Sequence, residues 1–278
     1  MDSLVTTEWL AKELGANDLR IVDASYFLDA RDARAEFEAA HIPGAVFMDL
    51  GELSDTGSGL PNMVPSAEKF ASRMQAIGLG DGSRIVVYDN SPLRSSARAW
   101  WLLNLFGAHE VAILDGGLQK WKAEGRAMES GKPVVRHRHF TVWKDKAQVR
   151  DLAQMKENLK TKAEQVVDAR GAARFRGEEP ETRPGVRPGH IPGSFNLPYT
   201  ELFNEDGTFK QGEALRGAFS EVGVDPDQPV VTTCGSGVTA AVLSFGLHLL
   251  GAKKTALYDG SWSEWGGEAD TPVVTGAA

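Results

Sequence analysis

Cysteine is almost absent from this 278-residue chain, which contains only Cys234. One cysteine cannot form a disulfide within the chain, and a single thiol cannot build a cysteine-based zinc site. The N-terminal stretch also lacks the basic and apolar regions of a secretory signal peptide. We therefore expect a protein of a reducing compartment, most simply the cytoplasm.

Two further absences limit the function classes. No run of the chain approaches the roughly 18 consecutive apolar residues of a membrane-spanning helix. The net charge is −8, so the chain lacks the basic excess that a general nucleic-acid-binding surface requires. We therefore expect neither a membrane nor a nucleic acid as a partner.

What the chain does contain is an internal repeat. IVDAS at 21–25 returns as VVDAR at 166–170, HIPGAVFMDLGEL at 41–53 as HIPGSFNLPYTEL at 190–202, and LFGAHEVAILDGGLQKW at 105–121 as LLGAKKTALYDGSWSEW at 249–265. The matches keep their order, and their offsets stay between 144 and 149 residues. The repeat predicts a first domain at 1–125, a basic linker at 126–148 and a second domain at 149–278.

Each copy alternates short strand-like runs with helix-like segments. RIVVYD at 84–89 and PVVTTC at 229–234 are rich in β-branched residues, which is typical of strands buried on both faces. This alternation predicts an α/β fold in which each domain is a mainly parallel sheet flanked by helices. Sites in such sheets form beyond the carboxyl ends of the strands, and Cys234 lies at such an end.

The segment after Cys234 has the composition of an anion-binding loop. It consists of Gly235, Ser236, Gly237, Val238 and Thr239. Gly235 and Gly237 allow backbone angles that bring N–H groups inward, and a helix is predicted from about Val238. A thiol held there ionises readily, since the positive end of a helix favours a thiolate. We therefore interpret Cys234 as a reactive cysteine rather than as a small core residue.

The first copy has a different residue at this position. Asp89 stands where Cys234 stands, and DNSPLRSSARAWW at 89–101 replaces the glycine-rich loop. An aspartate has no nucleophilic sulfur, and the replaced loop is expected to lack the nest of N–H groups. The first domain is therefore expected to be inactive and the second to be catalytic.

Four motifs carry a resemblance to a known family. They are the two HIPG segments, GAARFRGEEPE at 171–181, CGSGVTA at 234–240 and YDGSWSEW at 258–265. With the doubled architecture, they resemble the two-domain sulfurtransferases of the rhodanese superfamily. The resemblance implies two tandem rhodanese-like domains.

The loop sequence separates two branches of that superfamily. Thiosulfate sulfurtransferases carry Cys-Arg-Lys-Gly-Val-Thr, whereas Cys-Gly-Ser-Gly-Val-Thr, present here from Cys234, is found in 3-mercaptopyruvate sulfurtransferases. The resemblance therefore implies transfer of sulfur from 3-mercaptopyruvate through a Cys234 persulfide, with release of pyruvate and with no metal or organic cofactor. Small thiols, a thioredoxin-like protein and cyanide are all competent acceptors, and a thiosulfate donor is the alternative.

The same resemblance implies substrate-binding and proton-transfer residues. Arg174 and Arg183 match the two substrate-binding arginines of the family, and an arginine fork suits a carboxylate. Arg176 and Arg187 are competing candidates, and the alternative for all four is pairing with the nearby glutamates.

Ser236, His41 and Asp32 match the family residues that handle protons around the cysteine. Histidine carries protons well near neutral pH. However, HIPG occurs in both copies, so the alternative is that His41 and His190 each fasten a turn.

Two rival functions are weakened by the sequence. A tyrosine phosphatase requires the pattern Cys-x5-Arg, but Ala240 occupies the arginine position. A non-catalytic scaffold would not need to keep Cys234 in a complete loop.

Overall fold

The computed structural model describes residues 1–277, which divide into two compact units. Unit 1 comprises residues 1–55, 64–145 and 205–209, and unit 2 comprises residues 56–63, 146–204 and the chain from 210 onward. Each unit has its own five-stranded sheet.

In unit 1, every strand pair is parallel and the strand order is β1-β5-β4-β2-β3. Its elements are β1 (Leu4–Val5), α1 (Thr7–Glu13), β2 (Leu19–Asp23), α2 (Ala33–Ala39), β3 (Ala45–Phe47), α3 (Leu50–Leu53), α4 (Ala67–Ala76), β4 (Arg84–Tyr88), α5 (Ser96–Leu105), β5 (Val111–Leu114) and α6 (Gly117–Ala123).

Unit 2 repeats this topology with the parallel order β6-β10-β9-β7-β8. Its elements are a 3-10 turn (Lys146–Gln148), β6 (Val149–Arg150), α7 (Leu152–Thr161), β7 (Gln165–Asp168), α8 (Ala172–Arg176), β8 (Phe195–Asn196), a second 3-10 turn (Tyr199–Leu202), α9 (Gly212–Glu221), β9 (Val230–Thr233), α10 (Ala240–Leu249), β10 (Thr255–Tyr258) and α11 (Ser261–Trp265).

The central strands are buried on both faces, as their composition predicts. All four residues of β9 are buried, and so are four of the five residues of β4. α10 is also apolar around most of its circumference, since its residues from Ala240 to Leu247 are all buried. The fold class expected from the sequence, two α/β domains with parallel sheets, is confirmed.

The segment 126–148, which the sequence predicts to be a linker, is mostly exposed and lies along unit 1 as far as Asp145. Phe140 is 4% exposed, and its ring packs edge-on against Phe70 at 5.7 Å. The N–H of Trp143 donates to the carbonyl of Phe106 at 3.1 Å. The buried Phe140 anchors the segment on unit 1, which extends to Asp145.

Candidate active site

Cys234 directly follows β9, at the carboxyl edge of the unit 2 sheet, and only 2% of it is exposed. Its Sγ accepts a hydrogen bond from the N–H of Gly237 at 3.1 Å. Gly237 has a φ of +81°, a conformation that favours glycine and that turns its N–H back toward the sulfur. The loop thus provides a main-chain donor to the sulfur, and the nest of several N–H groups around an ionised thiol stays a prediction.

Two details of the loop differ from the prediction. Gly235 has no positive φ, so its lack of a side chain is not required by the backbone conformation. α10 begins at Ala240, with Thr239 in the N-cap position, rather than near Val238. The loop therefore continues two residues further than expected before the helix starts.

The segment after β10 fixes the cysteine loop through main-chain contacts. The carbonyl of Cys234 accepts from the N–H of Trp262 at 2.9 Å, and the carbonyl of Gly235 accepts from the N–H of Ser263 at 3.0 Å. The N–H of Cys234 donates to the Oγ of Ser261 at 3.3 Å. These contacts give the GSWSEW segment after β10 a structural role: the residues Ser261 to Ser263 hold the cysteine loop in place.

Ser236 lies in the loop with 9% of its surface exposed, and it has a partner that sequence reasoning missed. Its Oγ accepts a hydrogen bond from Nδ2 of Asn62 at 3.0 Å. Asn62 belongs to the segment 56–63 of unit 2 and has a φ of +58°. The irregular sequence of that segment offered no signal, because only the fold brings together residues 174 positions apart.

Arg174 lies beside the cysteine loop. A Cβ at Gly235 would be 3.8 Å from both terminal nitrogens of the Arg174 guanidinium. One of these nitrogens, Nη2, donates to the Glu181 carboxylate at 2.6 Å. This is the pairing with a nearby glutamate that the sequence offered as the alternative to substrate binding. The Nε is buried and has no partner among residues 1–277. A buried donor of this kind costs free energy until an acceptor reaches it, which suits a site for an anionic ligand.

Arg183 reaches the same loop through a serine. Its Nη1 donates to the Oγ of Ser263, and that hydroxyl donates to the carbonyl of Gly235 at 2.5 Å. Arg174 and Arg183 therefore both lie close to Gly235, the neighbour of Cys234.

The two competing arginines lie elsewhere. Arg176 forms a two-pronged exposed pair with Glu178, at 2.7 and 2.8 Å. Arg187 donates to main-chain carbonyls of the C-terminal segment, including those of Gly266 and Thr271. Arg187 therefore fastens that segment, and Arg176 is a surface residue.

Arg170 is a further residue that sequence reasoning missed. Its guanidinium binds both oxygens of Asp168, donates to Glu181 at 3.0 Å and lies over the ring of Trp262 at 4.5 Å. Burial lowers the pKa of Arg170, but the charges of Asp168, Glu181 and Cys234 outweigh it and raise that pKa. The VVDAR motif held a sequence signal for this ion pair, because it places Asp168 two residues before Arg170 and a buried arginine needs an acidic partner.

His41 and Asp32, the predicted proton-transfer residues, belong to unit 1. His41 is 1% exposed, its Nδ1 is 2.7 Å from the carbonyl of Phe37, and its ring stacks on that of Phe37. Asp32 caps α2 by accepting from the N–H of Ala35 at 3.0 Å. Both side chains thus have local structural roles, and their part in catalysis stays a prediction.

His190 repeats these contacts in unit 2. Its Nδ1 is 2.8 Å from the carbonyl of Phe175, on whose ring it stacks. Burial lowers the pKa of His190. This parallel supports the view that HIPG histidines fasten a turn.

Asp89 shows how the first copy fills the corresponding place. Its carboxylate accepts from the N–H groups of Ser91 at 2.9 Å and Ser96 at 2.8 Å. The expectation that the first loop would lack inward N–H groups is therefore wrong, because the carboxylate itself is the anion that these groups bind.

Comparison with known proteins matches both halves of the chain to one domain type. Residues 6–124 and 151–268 each match the rhodanese-like domain. The chain belongs to the rhodanese family.

Human 3-mercaptopyruvate sulfurtransferase is 43% identical over 95% of this chain and 91% of its own length. Thiosulfate sulfurtransferase of Cricetulus griseus is 38% identical over 95% of this chain and 91% of its own length. The crystal structure of SseA from Escherichia coli, described as a 3-mercaptopyruvate sulfotransferase, has a TM-score of 0.86 at 37% identity and covers 94% of this chain and 99% of its own. The rhodanese relatives thus include proteins named for each of the two donors.

Among residues 1–277, no helix is long and apolar enough to cross a membrane. Within the same range, no group of three or more His, Cys, Asp or Glu side chains is arranged to hold a metal ion.

Proposed function

We propose that the protein transfers sulfur from 3-mercaptopyruvate to a thiol or to cyanide through a persulfide on Cys234. The observation that carries this proposal is the contact of the Cys234 sulfur with the Gly237 N–H, in a loop flanked by Arg174 and Arg183. The contact suits a negative sulfur, and the arginines suit a carboxylate on the donor.

The reaction consists of two displacements at sulfur. The Cys234 thiolate attacks the sulfur of 3-mercaptopyruvate, and the electrons of the broken C–S bond leave as the enolate of pyruvate, which then takes up a proton. Cys234 now carries the second sulfur. An acceptor thiolate or cyanide attacks this outer sulfur and restores the Cys234 thiolate.

The loop composition supports 3-mercaptopyruvate rather than thiosulfate as the donor. Gly235 and Ser236 stand where thiosulfate sulfurtransferases carry arginine and lysine, so the loop has no cation of its own beside Cys234. A doubly charged donor would lose that attraction, whereas a monocarboxylate can bind the arginines of the flanking segments. Thiosulfate remains the second candidate because a 38% identical relative bears its name.

The physiological acceptor is part of the same proposal. A thioredoxin-like dithiol can take the outer sulfur as readily as a small thiol, because both attack as thiolates. A catalytic Cys234 that must stay free of oxidation fits a reducing compartment such as the cytoplasm.

Two measurements test the proposed function. Mass spectrometry after treatment with 3-mercaptopyruvate should find one added sulfur atom on the wild-type chain and none on Cys234→Ser. The kcat/KM for 3-mercaptopyruvate should exceed that for thiosulfate by about tenfold or more, a difference of roughly 1.4 kcal/mol in transition-state binding. A preference for thiosulfate of the same size would make it the donor instead.

A further inference from the structure

Unit 1 contains a cavity at the carboxyl edge of its sheet, where unit 2 has its cysteine loop. Its volume is about 210 Å³. The residues that line it include Asp23, Ser25, Glu36, Phe37, Leu118 and Lys122. None of the reaction steps above uses this cavity.

The repeat identifies what fills the corresponding place in unit 2. Asp23 ends β2 as Asp168 ends β7, and Ser25 corresponds to Arg170 in the motifs IVDAS and VVDAR. Leu118 likewise corresponds to Trp262, in LFGAHEVAILDGGLQKW and its repeat. The cavity thus lies where unit 2 holds a guanidinium and an indole ring, both replaced in unit 1 by smaller side chains.

In unit 2, the arginine behaves as a ligand supplied by the chain itself. The guanidinium of Arg170 binds Asp168 through Nε and Nη2, at distances between 2.7 and 3.1 Å, and stacks on Trp262. In unit 1 the acceptor is kept, but Ser25 stands in the place of the arginine: Asp23 binds the N–H of Ser25 at 2.9 Å, and the Ser25 side chain accepts from the N–H of Asn90.

The walls of the cavity combine negative charge with an aromatic ring. Asp23 is 2% exposed, and Phe37, the counterpart of the Phe175 that stacks on His190, lies beside it. Glu36 adds a second carboxylate to the cavity. Its Oε1 lies 3.8 Å from Nη1 of Arg31. A planar cation could bind a buried carboxylate on one edge and pack against the apolar walls with its faces.

We propose that this cavity of unit 1 is a binding site for a small guanidinium compound, whose cation takes the place that the Arg170 side chain occupies in unit 2. The site needs no residue of the sulfur-transfer machinery and does not depend on the proposed reaction.

The charges around Asp23 give this binding a pH dependence. Burial, and to a smaller extent the charge of Asp89, raise the pKa of Asp23 to about 6, against the hydrogen bonds from Ser25 and Tyr88 that lower it. Glu36 and Lys122 also face the cavity, with opposite charges. A cation binds the ionised carboxylate, so its affinity should fall as the pH drops below about 6.

Isothermal titration calorimetry of the full chain with methylguanidinium at pH 7.5 tests the proposal. We expect saturable binding at one site per chain. Methylammonium should bind at least about tenfold more weakly, because it lacks the planar fork that grips a carboxylate. Amide resonances of Ser25 and Asn90 should shift during the same titration.

Two variants place the binding in this cavity. Ser25→Arg supplies the guanidinium within the chain, as Arg170 does, and should abolish binding of methylguanidinium. Leu118→Trp fills the cavity with the indole ring that unit 2 has at Trp262 and should also abolish binding. It replaces Ser25→Arg in the test if that variant folds poorly. Binding that is absent from the wild-type chain at about 10 mM, a concentration at which even a weak millimolar site would be occupied, would overturn the proposal. Equal binding by the folded variants would overturn it as well.

Discussion

Arg170 and Asp168 form a two-pronged ion pair whose side chains are only 2% and 1% exposed. Glu181, at 4% exposure, binds the same guanidinium and also that of Arg174. This cluster connects the carboxyl end of β7 with an arginine beside the cysteine loop. The charges of Arg170, Asp168 and Glu181 are shielded from water, so each of them depends on its partners for stabilisation, whereas Arg174 is 35% exposed.

Arg170→Met should destabilise unit 2 strongly. The substitution leaves Asp168 without its cation inside the protein, and breaking a buried ion pair typically costs about 3–5 kcal/mol. Urea unfolding followed by tryptophan fluorescence measures the loss. The double variant Arg170→Met with Asp168→Asn removes the stranded charge and should recover part of it, and a double variant no more stable than the single one would contradict this account.

Arg174→Gln should weaken donor binding without disabling the thiol. Loss of one charge-assisted contact to a carboxylate costs about 1.5–3 kcal/mol, so KM for 3-mercaptopyruvate should rise by about 10- to 100-fold. The rate of Cys234 alkylation should stay near the wild-type value. Arg176→Gln is the matched control, since Arg176 is in the same helix but binds Glu178 at the surface. An equal KM for both variants would remove Arg174 from the donor site.

Replacing Gly235 by Arg and Ser236 by Lys should shift the donor preference toward thiosulfate. A Cβ at Gly235 meets the Arg174 guanidinium at an ordinary contact distance of 3.8 Å, so the backbone can accept a side chain there. The two added cations favour a doubly charged donor, and we expect the ratio of kcat/KM for thiosulfate over 3-mercaptopyruvate to rise by about tenfold. An unchanged ratio would mean that the loop charge does not select the donor.

His41→Gln and His190→Gln form a matched pair that tests the predicted catalytic role of His41. Both rings are buried, stack on a phenylalanine and are within hydrogen-bond distance of its carbonyl. From these contacts we expect similar losses in Tm and no loss of kcat specific to His41→Gln. A fall in kcat confined to that variant, measured on the folded fraction, would support His41 as the proton carrier.

Asp23 should make unit 1 less stable as the pH rises from about 4 to 6. Burial raises the pKa of Asp23 from its usual 3.8 to about 6, so the folded state favours the protonated carboxyl. Its stabilising contribution is complete below the usual value and is lost through pH 6, by roughly 3 kcal/mol, since each pKa unit corresponds to about 1.4 kcal/mol. Urea titrations of wild type and Asp23→Asn across this range measure it; curves that stay parallel would refute the prediction.

The cysteine loop could be predicted from sequence because its signals are local. Cys234, Gly237 and the strand before them lie within a few residues, and a positive φ at Gly237 is a property of the loop itself. Asn62 and Arg170 were missed for opposite reasons. Asn62 reaches Ser236 only through the fold. Arg170 and its partner Asp168 both lie in VVDAR, so the ion pair had a local signal, but the burial that makes the pair important is set by the fold.

The sequence by itself determined the doubled α/β architecture, because repeats and strand composition are properties of short segments. From residue chemistry it also predicted a reactive Cys234 and an inactive first domain with Asp89 in that place. Only the tertiary structure decided which side chains surround the sulfur, where the unit boundary falls and that a cavity remains beside Asp23. Those features depend on burial and on contacts between distant segments, and the hydrophobic pattern of a chain does not specify which distant polar groups will meet.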